Sequence, residues 1–418
     1  MRAWVTIPLV LATFAACGSS PASAQQRRQI AYPRSTVIER LIWESQPSKY
    51  PGSGSDMHWW TWGVDGSTYV VDDDGKNFGG PGWYAHVLKS TGVPPDHKVT
   101  TVTDFQFYDF RKNLPHGKLV RRYVAGAVAV DSALYVAVYD YDWNIPSRSA
   151  RRDRFRELSR EYHPWGTMAP WEVSALGFID GYSKLYGVAG IIVSKDHGAS
   201  WTNLPGKDTP EFFGARLGAP AFLTFGPGNT ETPAAFAPYV YAISNDVSWA
   251  TGDNVFLGRV PRDEVIDRGA WEFYDGTDDS GTPRWTKDEN RAKPIFSDPD
   301  HVGHPTITYN KGLGRFILLV SSDMVPHKED SPPEVVDRWN LESEMQMYEG
   351  PTPWGPWSIF HDEVRWGGAD HTHYLPQMPA SWLGADGLSG SLLFAGDYVK
   401  RKAEHYGFMT QQFRLVRK

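Results

Sequence analysis

The sequence predicts an all-β chain folded as a β-propeller, and three observations lead there. Short runs rich in β-branched and aromatic residues, each ending at Gly, Asp or Asn, follow one another from Asp56 almost to the C-terminus. The chain holds 40 Gly and 31 Pro beside 18 Trp, 20 Tyr and 20 Phe, a mixture that suits many turns between packed sheet faces. A unit made of a small residue, a Trp and a strand-like run recurs in "DHGASWTNLPG" (196–206), "DRGAWEFYDG" (267–276) and "PTPWGPWSIFHDE" (351–363). Such recurrence argues for small sheets repeated around an axis. Seven blades would take about 56 residues each and five about 79. Seven is the expectation and five the alternative.

In chain order, residues 1–24 read as an export signal. Arg2 supplies the charged start, Val5 to Ala16 an apolar stretch too short to span a bilayer, and Ala22-Ser23-Ala24 a cleavage site. Cys17 in "FAACGSS", the single cysteine, is a competing site for a lipid anchor. The protein is therefore expected to be secreted or periplasmic, with a lipid-anchored form as the variant reading, and to owe nothing to disulfides. Residues 25–418 form one catalytic domain, since no linker divides them, and are expected to act as a monomer. After a lead-in over 25–50, "DMHWWTW" (56–62) makes a strand, Asp65-Gly66 a turn and "STYVVDDDG" (67–75) the return strand. Further strands follow in "ALYVAVYDYDW" (133–143), "AGIIVSKDHG" (189–198), "YVYAISND" (239–246) and "RFILLVSSD" (315–323). Charge-dense excursions interrupt them at 147–165 and 326–345. No second apolar run is long enough to cross a membrane.

Lys+Arg total 42 against 49 Asp+Glu, a net charge of −7, and no basic block appears, so a nucleic-acid partner is not expected. The aromatic rings serve first as packing, but the same rings lining a cleft would stack on sugars, which makes a polysaccharide or oligosaccharide the expected partner.

Ser194-Lys195-Asp196-His197-Gly198-Ala199-Ser200-Trp201 matches the Asp-box pattern S-x-D-x-G-x-x-W and resembles the hairpin turn of sialidase-like propellers. The resemblance implies a structural role for Asp196. "SDMHWWTWGVDG" (55–66) resembles the first blade of exported seven-bladed propellers that act on L-rhamnose linked to D-glucuronate, described as rhamnosidases and as lyases. The similarity continues through "RLGAPAFLTFG" (216–226), 239–276, "VGHPTITYNKGLGRFILLVSS" (302–322), 348–363 and "HYLPQMPASWL" (373–383). It implies that His58 is the catalytic proton handler.

β-Elimination from a uronate needs the carboxylate neutralised, best by an Arg fork, and a base to take the neighbouring proton. Arg216 or Arg365 would be the neutraliser, His58 the acid or base, and His304, at the start of "GHPTITYN", a further catalytic group turned to the axis. Trp60, Arg365, Trp366, His373, Tyr374 and Gln377 are the candidate sugar-binding residues. His371 and His373, with Asp370, could hold a metal, although two histidines two residues apart are a weak signal. Two rival readings stand. Asp72, Asp73 and Asp74, or Asp140 and Asp142, could supply the acid pair of a glycoside hydrolase, as in five-bladed sugar hydrolases. Alternatively, the same aromatic mouth could bind a glycan without turnover. Calcium in the central channel is a third use for such acids. Asp72–Asp74 could also be no more than a solvated turn.

Overall fold

In the computed structural model, the described residues are 30–418 except 81–83, 106–119, 143–184, 207–208, 246–251, 300, 327–340, 369 and 398–403. The export signal, Cys17, the 147–165 excursion and most of the 326–345 excursion lie outside them. The chain divides into Met1–Ala31 and Tyr32–Lys418, and every strand belongs to the second unit. No helix among the described residues is long and apolar enough to cross a membrane.

Five antiparallel sheets follow one another along the chain. Their strands are numbered in chain order, and β1 and β2 join the last sheet. The first sheet is β3 (Asp56–Trp62), β4 (Thr68–Gly75), β5 (Tyr84–Thr91) and β6 (Lys98–Phe105). The second is β7 (Val120–Val130), β8 (Ala133–Asp142) and β9 (Leu185–Ser194). The third runs β10 (Ala221–Phe222), β11 (Tyr239–Asn245), β12 (Asn254–Pro261), β13 (Glu272–Thr277) and β14 (Pro283–Thr286), with β15 (Phe296–Ser297) against β12. The fourth is β16 (Gly303–Asn310), β17 (Arg315–Pro326), β18 (Leu341–Gly350) and β19 (Ser358–Glu363). The fifth is β20 (His373–Gln377), β21 (Ser389–Gly396) and β22 (Met409–Arg417), completed by β1 (Ile38–Trp43) from the other end of the chain. β2 (Ser48–Lys49) also pairs with β22.

The fold is a propeller of five blades, so the expected count of seven is corrected to the alternative. Dividing chain length by a usual blade size fails here because long connections carry many of the residues. Segment 143–184 alone separates two paired strands, β8 and β9.

Two of the recurring Trp residues are buried. Trp271 is fully buried and its Nε1 donates to Val265 O at 3.0 Å. Trp357 of the fourth sheet donates to Ile295 O at the edge of the third, also at 3.0 Å. The Asp-box makes a turn. Asp196 accepts hydrogen bonds from Ser194 Oγ (2.7 Å), Ser200 N (2.8 Å) and Ser200 Oγ (2.5 Å). These bonds, led by the Ser200 hydroxyl, hold its carboxyl at about 2. A side chain so engaged on the outside of the second blade is a turn former, not a reacting group.

The inner strands run parallel to one another. Thr306 and Thr308 of β16 donate to Pro376 O (2.6 Å) and Met378 O (2.7 Å), so both chains advance together. Tyr374 and Gln377 meet Asp56 and His58 in the same sense. Thr61 Oγ1 accepts from Ala129 N at 2.7 Å, which ties β3 to β7. The first residues of these strands therefore ring one mouth of the axis.

Four inner strands share a bulge near that mouth, centred on a residue in the left-handed region: Met57 (φ 55°), Gly126 (φ 58°), His304 (φ 43°) and Leu375 (φ 52°). Pairing slips at the same places. A bulge inserts one residue and re-aims the side chains around it, and such strain gathers at functional sites. Only the second sheet uses glycine there. A Cβ on Gly126 would sit 2.0 Å from Pro220 O, so the neighbouring blade, more than the positive φ, excludes a side chain.

Candidate active site

In β3 the residue before the bulge is Asp56, in β20 it is Tyr374, and Tyr374 Oη donates to Asp56 Oδ2 at 2.8 Å. Asp73 pairs with Asp56 across the β3–β4 ladder. Residues directly opposite share a face, with Cβ atoms about 4.5–5.5 Å apart. Asp73 Oδ2 accepts from Val124 N of the next sheet at 2.8 Å. Both carboxylates are nearly enclosed, at 6% and 3% exposure. His304 closes the other side of Tyr374, ring centres 5.6 Å apart. Burial pushes the His304 imidazole down to about 3, so the ring is neutral at physiological pH. Glu344 opens β18, which runs in the same direction as β16. It meets His301 Nδ1 at the same end of the ring.

The mouth thus gathers two opposed carboxylates, a phenol, a neutral imidazole and a carboxylate–histidine pair. Carboxylates on adjacent strands can divide acid and base roles. The phenol fixes one of them, and the backbone N–H of Val124 fixes the other.

The sequence-predicted residues fall in different places. His58 has no exposed surface. Its Nε2 lies 3.3 Å from Asp72 Oδ2, and Phe408 stands edge-on at 5.4 Å. Asp72 is also buried, taking hydrogen bonds from Ser55 Oγ (2.8 Å) and Asn77 Nδ2 (3.0 Å). This polar knot belongs to the packing between the first and last sheets. The residue expected as proton handler is thus a fully buried ring paired with Asp72. Asp72 and Asp73 are strand residues, which corrects the reading of a solvated turn. The side chains of Asp74, Asp140 and Asp142 lie outside the described set.

Arg216 donates to Ala292 O and lies over the Phe256 ring at 5.0 Å. It is engaged within the third sheet and is not a clamp beside His58. Trp60 is core, packed with Trp382 and Phe408, and offers no stacking platform. Trp366 is likewise core, against His373 and Phe394, while Arg365 is exposed beside it. Gln377 is buried and bonds to the backbone of His58 and Trp60, tying the last blade to the first. His373 is buried against His405. Of the predicted residues, His304, Tyr374 and, from the rival acid set, Asp73 reach the axial group. Asp56 and Glu344 escaped the sequence reading. Asp56 stood one position before a bulge that a strictly alternating strand does not announce.

Residues 165–362 match the family described as "Domain of unknown function (DUF4185)". The matched stretch reaches from before β9 into β19 and leaves out the last blade and the first, the one that holds the carboxylate pair. No curated protein matches the chain. Among solved structures, a GH43_1 enzyme from Xanthomonas citri bound to xylotriose is similar over 89% of this chain and 89% of its own, at 10% identity and a TM-score of 0.45. A protein of unknown function from Dyadobacter fermentans is similar over 91% and 100%, at 11% identity and 0.45. An endo-1,5-α-L-arabinanase from Thermotoga petrophila is similar over 89% and 75%, at 10% identity and 0.43.

Proposed function

We propose that this protein is an exported glycoside hydrolase working with Asp56 and Asp73 at the mouth of the ring. The observation that carries the reading is the pair itself: two enclosed carboxylates opposite each other across one ladder, one taking a hydrogen bond from Tyr374 and the other from Val124 N. Glycoside hydrolysis asks for such a pair. One group protonates the leaving oxygen while the other attacks the anomeric carbon or activates water.

Elimination is the weaker reading. It rested on His58 beside a guanidinium, and His58 is sealed under the first blade while Arg216 serves the third. The anionic groups described at the mouth are the carboxylates of Asp56, Asp73 and Glu344, which repel an anionic sugar. A neutral glycan is therefore the substrate class favoured over a uronate.

The test is incubation of the mature protein with neutral polysaccharides and aryl glycosides, following reducing ends and the absorbance of unsaturated uronates. Expected are new reducing ends without that absorbance, and a loss of roughly 10²–10⁴-fold in Asp56→Asn and Asp73→Asn with the fold retained. Saturable binding without turnover on any of these substrates would leave a binding propeller. Unsaturated product would restore the lyase.

A further inference from the structure

The last blade carries a second cluster, off the axial pair and assembled from three separated stretches of chain. His371 and His373 flank Thr372 where β20 begins, Asp397 follows the end of β21, and His405 lies before β22. The β20–β21 ladder pairs His373 with Gly396, which sets Asp397 against Thr372. Asp397 N donates to Thr372 O at 2.7 Å, and Thr372 N returns a bond to Asp397 Oδ1 at 3.2 Å. His371 Nδ1 is 2.9 Å from Asp397 Oδ2, which also accepts from His405 N at 3.0 Å. The His371 and His405 rings stack with centres 3.7 Å apart. His373 Nε2 lies 2.7 Å from His405 Nδ1.

Packing alone gives little reason to bring three imidazoles around one carboxylate. Protonating them together sets like charges against one another, while keeping them neutral leaves several lone pairs facing a common point. His373, 1% exposed, also keeps its Nδ1 without a partner. Asp397, 2% exposed, sits at a left-handed φ of 63°, a conformation that costs a non-glycine residue. The donor spacing suits a cation. Two ligands bound at about 2.0–2.2 Å and about 90–109° apart lie about 2.9–3.5 Å from each other. The His371–Asp397 separation is already such an edge, and one donor atom each from His371, Asp397 and His405 falls within 4.8 Å of the others.

We propose that His371, Asp397 and His405 bind one divalent transition-metal ion of the zinc class, with His373 backing the site. Imidazole nitrogens joined to a single carboxylate suit zinc and its neighbours, whereas magnesium and calcium seek oxygen ligands. Two backbone N–H groups already orient the carboxylate, as second-layer partners do in metal sites. The acid expected beside these histidines, Asp370, is exposed, and its place is taken by Asp397, 26 residues on from His371 at the end of the neighbouring strand. The ion would staple β20, β21 and β22 together. His373 is next to Tyr374, so the staple would also fix the strand that holds Asp56.

The test uses the full mature chain stripped with a chelator. Zn²⁺ binding is measured by calorimetry, Co²⁺ by its visible absorption, and thermal midpoints are taken with and without metal. Expected are one equivalent of Zn²⁺ and a raised midpoint. A His371→Ala/His405→Ala double variant with native circular dichroism should bind at least roughly 100-fold more weakly, beyond the 10–100-fold that outer partners alone contribute. Should that variant not fold, His405→Gln, which alters a half-buried ring, carries the comparison. Less than a fifth of an equivalent in the wild type, variants that bind as the wild type does, or Ca²⁺ displacing Zn²⁺ at equal concentration would each overturn the proposal.

Discussion

Replacing His58 with alanine should cost stability and leave catalysis in the folded fraction intact. The imidazole has no exposed surface and touches Asp72 at 3.3 Å and Phe408 at 5.4 Å between ring centres. Deleting it leaves a cavity, for which large-to-small core changes cost about 2–5 kcal/mol. It also removes one partner of a buried carboxylate, and breaking such a pair costs about 3–5 kcal/mol. The two figures overlap, and Asp72 keeps Ser55 and Asn77, so about 3 kcal/mol is the expected sum. For a domain of this size that is about 6 °C in the thermal midpoint, taking roughly 2 °C per kcal/mol. The assay pairs thermal or urea unfolding with turnover normalised to folded protein. A His58→Ala enzyme with an unchanged midpoint and turnover down by more than roughly 10²-fold, the scale of a lost acid or base, would refute the reasoning and return His58 to the chemistry.

Further outcomes follow from other contacts. Gly126→Ala should reduce stability by about 3 kcal/mol or more, since the new Cβ would lie 2.0 Å from Pro220 O and overpacking adds to strain at positive φ; an unchanged urea midpoint would contradict this. Tyr374→Phe should lower kcat by about tenfold, the worth of one hydrogen bond to a charged group, while the midpoint moves little; an unaltered pH–rate profile and kcat would detach the phenol from catalysis. His304 titrates near 3 in the folded chain because it is buried, whereas an unfolded histidine titrates near 6.5. Above pH 6.5 neither state holds the extra proton and nothing is lost. As pH falls below that, the unfolded state takes the proton first, so stability drops by about 1.4 kcal/mol per pH unit from this group. Urea midpoints at pH 7 and pH 5 should show the fall and His304→Gln should lessen it; equal slopes in both proteins would mean the ring is not held neutral.

Much of the fold was legible because it depends on local pattern. Alternating runs, turn residues and the Asp-box all read correctly along one stretch of chain. Blade number did not, because it depends on how many residues the connections take. The site was partly legible. His304 was offered because it begins a strand at the start of a blade, and Tyr374 only as a contact for sugar hydroxyls. Strict alternation along "DMHWWTW" puts His58 with Trp60 and Trp62, and all three do pack toward Phe408, but it does not place Asp56. The bulge at Met57 interrupts that alternation, and six of the seven residues are buried, so neither face is marked by polarity. Asp73 hid in a run of three aspartates whose neighbours look like a surface turn. Asp397 and His405 could not be joined to His371 without the ladder between β20 and β21, since proximity across a sheet leaves no trace in spacing.

The last blade borrows its outermost strand from the far end of the polypeptide, where Ile38–Trp43 zips onto Phe413–Arg417. A ribosome making this chain must therefore finish almost the whole of it before the circle can lock. Until then the nascent protein remains an open arc, which is the condition in which a polypeptide can still be threaded elsewhere. Cutting between the blades and joining the old ends should, by the same logic, yield a ring that closes at a new seam.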